Sequence, residues 1–263
     1  MSDDLDALRG ALLRWYDRAR RDLPWRRTTD PYAILVSEVM LQQTQVARVV
    51  PRYLEWLERW PTAASLAAAS RAEVLSAWVG LGYNRRALAL HAAATAVARD
   101  GWPEDLRTLA GVGPYTAAAV GSFAFGEQVA AVDTNARRVA ERLGRGGPEA
   151  LLPPGRAAEW NQAAMELGAT VCTARAPRCE ACPVAAWCAA AGRPARRPAG
   201  PPSGRRAVRF EDTNRWVRGR VVAALAAGEG LPGDIPPERL ERAVAGLVRD
   251  GLVRPVEGGL ALG

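Results

Sequence analysis

Apolar positions recur along this chain mostly at intervals of three and four, which predicts helices rather than strands. Leu5, Leu8, Leu12, Leu13 and Tyr16 share one face with arginines opposite, an amphipathic helix to about Arg21. Leu23-Pro24-Trp25-Arg26 breaks it. The largely apolar run from Ile34 to Val50 follows Asp30-Pro31, is closed by Pro51, and reads by its length as a buried helix. It carries one acid, Glu38. On a continuous helix Glu38, Gln42 and Gln45 stand at i, i+4 and i+7 and share a polar stripe facing a cleft. A carboxyl group against apolar walls has its charged form disfavoured and serves as a proton donor near neutral pH; a satisfied buried glutamate is the alternative.

Further helical patterns cover 53–59, 63–69, 71–79 and 85–99. Between the last two, Gly80-Leu81-Gly82-Tyr83-Asn84 forms a turn able to present Leu81 and Tyr83. Residues 106–124 contain a helix end, the glycine turn Gly111-Val112-Gly113, and a new helix from Pro114. Its free N–H groups suit a phosphate, and the turn is also a place for a bridging cation. After Val129 to Val132, Asp133 reads as the N-cap of the next helix, where positive dipole character holds a carboxylate ionised. An ordinary cap is the alternative. Two carboxyl groups in opposed environments are the equipment for breaking a glycosidic bond through a cationic sugar. Pro148 to Gly155 reads as a loop and Ala157 to Val171 as a helix with Asn161, Gln162 and Glu166. Residues 193–209 form a Pro, Gly and Arg-rich linker. Beyond it, Trp216 to Ala227 and Pro237 to Arg249 read as helices, and Leu252 to Leu262 as a hairpin about Glu257-Gly258-Gly259. This tail is compatible with a small winged-helix-like module and with a helical cap.

Composition changes this picture in three ways. A formal charge of +7 points to a polyanionic partner. All 35 basic residues are arginine, so Schiff-base catalysis by a lysine side chain is impossible. His91 is the one histidine, which argues against a Ser-His-Asp triad or a multi-histidine metal centre. The chain has no N-terminal signal core and no apolar span of about 20 residues, the pattern expected of a soluble cytoplasmic protein. The four cysteines, Cys172, Cys179, Cys182 and Cys188, are spaced C-x6-C-x2-C-x5-C. A single C-x2-C pair favours a cubane iron–sulfur cluster over zinc without excluding zinc.

The segments LPWR, SEVMLQQTQV, GLGYNRRALALH, GVGPYTAAAVGSFAFG, VDTNARRV and MELGATVC, with the cysteine loop, closely resemble the adenine DNA glycosylases. That family acts on adenine mispaired with guanine or 8-oxoguanine and belongs to the helix-hairpin-helix glycosylase superfamily; the resemblance covers about residues 5–190. It implies an all-α, two-lobed fold: a [4Fe-4S] lobe from 1–24 and 131–192, a six-helix barrel lobe from 25–130, the linker, and a small C-terminal module at 210–263. It further implies a bacterial monomer on double-stranded DNA of the nucleoid. Glu38 then protonates the extruded adenine, Asp133 stabilises the sugar cation, and Asn135 sits beside the pair. Tyr115 occupies the position where bifunctional relatives carry a lysine. Arg26 and Glu166 contact the extruded base, Gln43 and Tyr83 wedge into the duplex beside Gln42, Thr44 and Leu81 lie near the opposing purine, and Gly111 and Gly113 form the hairpin. Longer family members carry a Nudix-like domain that inspects 8-oxoguanine, and the tail of this chain is too short to resemble it.

Overall fold

The computed structural model describes residues 2–193 and 209–263, so the predicted linker, apart from its two ends, lies outside the described residues. Twelve α-helices, five short 3-10 helices and one hairpin account for the regular structure there. No helix among the described residues is long and apolar enough to cross a membrane. By contacts the chain groups into two units, Met1–Leu35 with Val112–Ser203, and Val36–Gly111 with Gly204–Gly263.

The first unit begins with α1 (Ser2–Ala19), whose first turn carries Asp3 and Asp4 and whose last carries Arg18, each charge complementing the helix dipole. Its apolar face, Leu8, Leu12, Leu13 and Tyr16, packs into one core with α8 (Thr134–Leu143), α9 (Pro148–Leu151) and α10 (Ala157–Thr170). Ala136, Val139, Ala140 and Leu143 of α8 follow the i, i+3, i+4, i+7 pattern and are all buried. At Gly168 α10 approaches α8 closely: a Cβ there would lie 2.6 Å from Asn135 Cβ and 3.0 Å from its carbonyl oxygen. Helix α7 (Pro114–Phe125) packs on α10. For that reason residues 112–130 group with the first unit, whereas the sequence expectation assigned them to the barrel lobe.

Helix α2 (Pro31–Leu41) ends earlier than the apolar run predicts. Gln43 takes a left-handed backbone, φ 55°, and Gln45 becomes the N-cap of α3 (Val46–Arg59). Glu38, Gln42 and Gln45 therefore do not share a helical stripe. Pro51 does not close a helix either; it lies inside α3 near its start, where the carbonyl it leaves unpaired, that of Ala47, belongs to an exposed residue. Helices α4 (Ala63–Ala67) and α5 (Arg71–Ala77) each start with a capping box, Thr62/Ser65 and Ser70/Glu73, and pack on α6 (Arg85–Asp100). Trp56 makes edge contacts with Trp60 and Trp78 in this core.

The tail follows its sequence pattern closely. Helices α11 (Asn214–Ala226) and α12 (Pro237–Arg249) precede β1 (Val253–Val256) and β2 (Gly259–Leu262), an antiparallel pair in which Val253 faces Leu262. Both helices and the hairpin expected there are present. Val217, Ile235 and Ala243 form a small core, and α11 and β2 pack on α5, so the tail is continuous with the second unit.

Candidate active site and cluster loop

In the first unit the chemistry gathers along α8. Asp133 is the N-cap: one carboxylate oxygen accepts from Ala136 N at 2.6 Å and the other from Asn135 Nδ2 at 2.9 Å. Both oxygens are thereby oriented. Asn135 in turn accepts from Arg138 Nη2 at 2.7 Å, and Arg138 also donates to the carbonyls of Gly168 (2.7 Å) and Cys172 (2.9 Å). One turn further on, Arg142 donates to Cys172 Sγ at 3.2 Å and to the carbonyls of Cys172, Thr173 and Ala174. Two turns of one helix thus join the candidate acid to the start of the cysteine loop. The order is set by a cap signal, two arginines at i and i+4, and the absence of a side chain at Gly168.

All four cysteines are free thiols and line one cavity of about 290 Å³. Among the described residues no three such donors converge as they would around a single ion. The volume has room for a group of several atoms. Burial, with the neighbouring thiols of Cys172, Cys188 and Cys179, pushes the Cys182 pKa up, an environment in which a cationic group would favour the thiolate. Sulfur donors, a shared cavity and crowding all fit an iron–sulfur cluster.

Glu166 is completely buried on α10. Arg21 binds both of its oxygens, at 2.7 and 2.8 Å, and Arg26 adds a third bond at 2.8 Å. Burial alone raises its pKa, but the bonds from Arg21 and Arg26 outweigh that and hold the carboxyl below its usual range. Arg26 also lies 5.5 Å from the ring of Tyr16. The expected pair Arg26 and Glu166 is brought together, joined by Arg21, which no local sequence signal picks out. Tyr115 stands one residue into α7, its hydroxyl 4.0 Å from Met165 Sδ.

In the second unit Glu38 is the one carboxylate of α2 and is only 6 % exposed. The loops after α2 and before α6 are tied by Arg86. It donates to Val39 O and Gln42 O at 2.7 Å, Met40 O at 3.2 Å, Gly82 O at 3.0 Å, Leu81 O at 3.2 Å and Thr44 Oγ1 at 3.3 Å. Carbonyls left open by the end of α2 are satisfied this way. Burial lowers the Arg86 pKa to about 10, still protonated at neutral pH. Gln42, Gln43, Leu81 and Tyr83 line a single groove, while Thr44 is held by Arg86. Gln43 and Tyr83 are the only non-glycine residues among those described with positive φ, 55° and 48°. Such conformations cost on the order of 1–3 kcal/mol and concentrate at functional sites. Gly111 has φ +77° and its Cβ would meet Ala89 Cβ at 2.7 Å; Gly113, with an ordinary φ, caps α7 instead.

The glycine turn before α7, the N-cap carboxylate and the four-cysteine loop coincide with two family matches that put the protein in the base-excision class. Residues 36–150 match the HhH-GPD superfamily base excision DNA repair proteins, and residues 172–188 match the iron-sulfur binding domain of endonuclease III. The helix-hairpin-helix fold and the iron–sulfur site expected from the sequence are thereby shown. Within that class the chain belongs to the adenine DNA glycosylase family. It is 46 % identical to the adenine DNA glycosylase of Mycobacterium tuberculosis, over 95 % of this chain and 92 % of that protein. Against the human adenine DNA glycosylase it is 43 % identical over 71 % of this chain and 40 % of that protein. A solved thermostable thymine-DNA glycosylase is 30 % identical with a TM-score of 0.66, over 72 % of this chain and 96 % of that one.

Proposed function

We propose that this chain is a monofunctional adenine DNA glycosylase that hydrolyses the N-glycosidic bond of adenine mispaired with guanine or 8-oxoguanine, acting as a monomer on bacterial DNA. The observation that carries this is Glu38, a buried acid in a largely apolar helix of a chain that belongs to the adenine family. A base inside a duplex must be extruded before its glycosidic bond is reached. Glu38 gives its proton to the adenine ring, so the base departs neutral rather than as an anion. As the C1′–N bond breaks, positive charge develops on the sugar; Asp133, its oxygens fixed by Ala136 N and Asn135, faces that charge. Water adds to C1′ and loses a proton. Asn135 and Arg138 position Asp133, and Glu166 fixes Arg21 and Arg26 so that Arg26 reaches the extruded base. Gln43 and Tyr83 enter the stack that the adenine leaves, and Leu81 and Thr44 lie near the opposing purine.

The cluster, bound by Cys172, Cys179, Cys182 and Cys188, supplies a covalent fastening for the loop between them. Hydrolysis involves no net oxidation, so it draws no electron from that group. Purified protein is expected to contain iron and acid-labile sulfide; zinc in their place would contradict the assignment.

The test is excision across a panel of duplexes carrying adenine opposite guanine, 8-oxoguanine or cytosine, and thymine opposite guanine. Adenine release is expected, with strand breakage only after alkali. Because the chain has no lysine and Tyr115 takes the relevant place, borohydride is expected to trap no adduct. Release of thymine alone would overturn the adenine assignment. Efficient trapping that persists after the N-terminal amine is blocked would overturn the monofunctional one.

A further inference from the structure

The groove that Gln43 and Tyr83 line has a volume of about 1210 Å³, and much of its wall comes from the start of α11 in the tail. Thr213 caps that helix, accepting from Trp216 N, and so fixes the direction in which Arg215 leaves the first turn. The Arg215 guanidinium lies 4.8 Å from the centre of the Tyr83 ring and 4.9 Å from that of Phe210, and its Nη1 donates to the Tyr83 hydroxyl at 2.5 Å. Arg86 lies 5.6 Å from the same tyrosine ring. An exposed aromatic on a left-handed backbone is therefore held by two cations from different parts of the chain. The platform is itself anchored: α11 packs on α5, and Arg71 donates to Gly251 O at 2.7 Å.

The charges around the groove divide into those already committed and those free to act. Arg218 and Arg220 are paired with Asp250 and Asp234, and Arg86 is taken up by carbonyls. Among the described residues, Arg48, Arg85 and Arg215 have no carboxylate partner, and the single acid lining the groove is Glu229. Glutamine amides, an exposed tyrosine and unneutralised guanidiniums together match a nucleic-acid strand, whose phosphates take the charge and whose bases take the aromatic face.

We propose that the C-terminal module is one wall of the DNA-binding surface, with Arg215 both holding Tyr83 in place and contacting a phosphate of the strand beside it. This rests on the reading that Tyr83 enters the duplex. A tyrosine fixed before binding loses less freedom on insertion, so the contact improves affinity and not bond cleavage. Arg215 is thus a positioning and binding residue.

The experiment compares full-length wild type, Arg215→Gln, Arg215→Lys and Arg254→Gln for binding to a duplex with 2′-fluoro-2′-deoxyadenosine opposite guanine, from about 50 to 200 mM salt. Arg254 is an exposed hairpin residue that does not line the groove, so its variant removes the same charge elsewhere. Arg215→Gln should bind about fivefold more weakly and lose about one unit of salt slope. Arg215→Lys should keep the slope while losing part of the affinity, and Arg254→Gln should match wild type. Single-turnover excision at saturating enzyme should stay near wild type for Arg254→Gln. Arg215 is exposed and outside every core cluster, so misfolding does not confound the comparison. Indistinguishable slopes and affinities for Arg215→Gln and Arg254→Gln would overturn the proposal. A wild-type protein that binds duplex but releases no adenine would sink the functional reading, while the change in slope would still support the Arg215 contact.

Discussion

Arginine does two different jobs in this chain, and the contrast separates frame from surface. On α8 and just past its end, three guanidiniums turn to backbone carbonyls: Arg138 to Gly168 and Cys172, Arg142 to Cys172, Thr173 and Ala174, and Arg145 to the carbonyl of Trp187. Around the Tyr83 groove, Arg48, Arg85 and Arg215 meet no carboxylate among the described residues. A chain without lysine must use one side chain both to brace loops and to meet a polyanion. Bonding partners, not residue type, tell the two apart. Donors fixed on carbonyls hold the cysteine loop and the Asn135 partner of Asp133 in register, and donors facing the groove are the ones proposed to meet phosphate.

The contrast predicts that chemistry and binding fail separately. The largest effect belongs to Asp133→Asn. Asparagine is as good an N-cap, so α8 should survive, but the negative charge proposed to face the sugar is gone. Single-turnover excision should fall about 10²- to 10³-fold while duplex affinity stays near wild type. A parallel loss of affinity would mean that Asp133 belongs to the frame.

Next is Glu166→Gln, which leaves Arg21 and Arg26 beside a neutral amide in a buried place. Chemical denaturation should show a loss of about 3 kcal/mol. The folded carboxyl is held below its ordinary value of about 4.3, so its contribution is fully present above that pH and is lost as pH falls through it toward the folded value. Wild type should therefore lose stability on acidification below about pH 4, and the variant should lose less over the same range. Identical acid limbs would show that this triad does not stabilise the fold.

A smaller effect is expected for Arg86→Met, which removes the tie between residues 39–44 and 81–82. A thermal-stability loss of about 1–3 kcal/mol should accompany a several-fold weaker affinity, because Gln43 and Tyr83 lose their fixed backbones. Unchanged affinity in a destabilised protein would separate the strained loops from the DNA surface.

What the sequence made legible was local. Three- and four-residue periodicity located α1, α6, α10, α11 and α12, the Glu257-Gly258 turn located the hairpin, and Asp133 was recognisable as a cap from composition alone. The break after Leu41 was not legible, because a glutamine, not a glycine, takes the left-handed position. Nor was Pro51 inside α3, since the open carbonyl it creates is harmless only where the helix surface is exposed. Arg21, Arg86, Arg138 and Arg142 were hidden for another reason: each acts on groups distant in sequence, and 35 similar residues give no contrast. Gly168 escaped notice because its role is the approach of Asn135 across two helices.

Whether Glu38 supplies the proton with which adenine leaves is decided by single-turnover excision with Glu38→Gln at saturating enzyme across the neutral pH range. Glutamine keeps the shape of the side chain and most of its hydrogen-bonding capacity but has no proton to transfer. Mispair binding should stay near wild type while the rate falls by about 10²- to 10⁴-fold. Rates near wild type throughout that range would contradict the proton transfer and leave Glu38 a buried structural carboxyl.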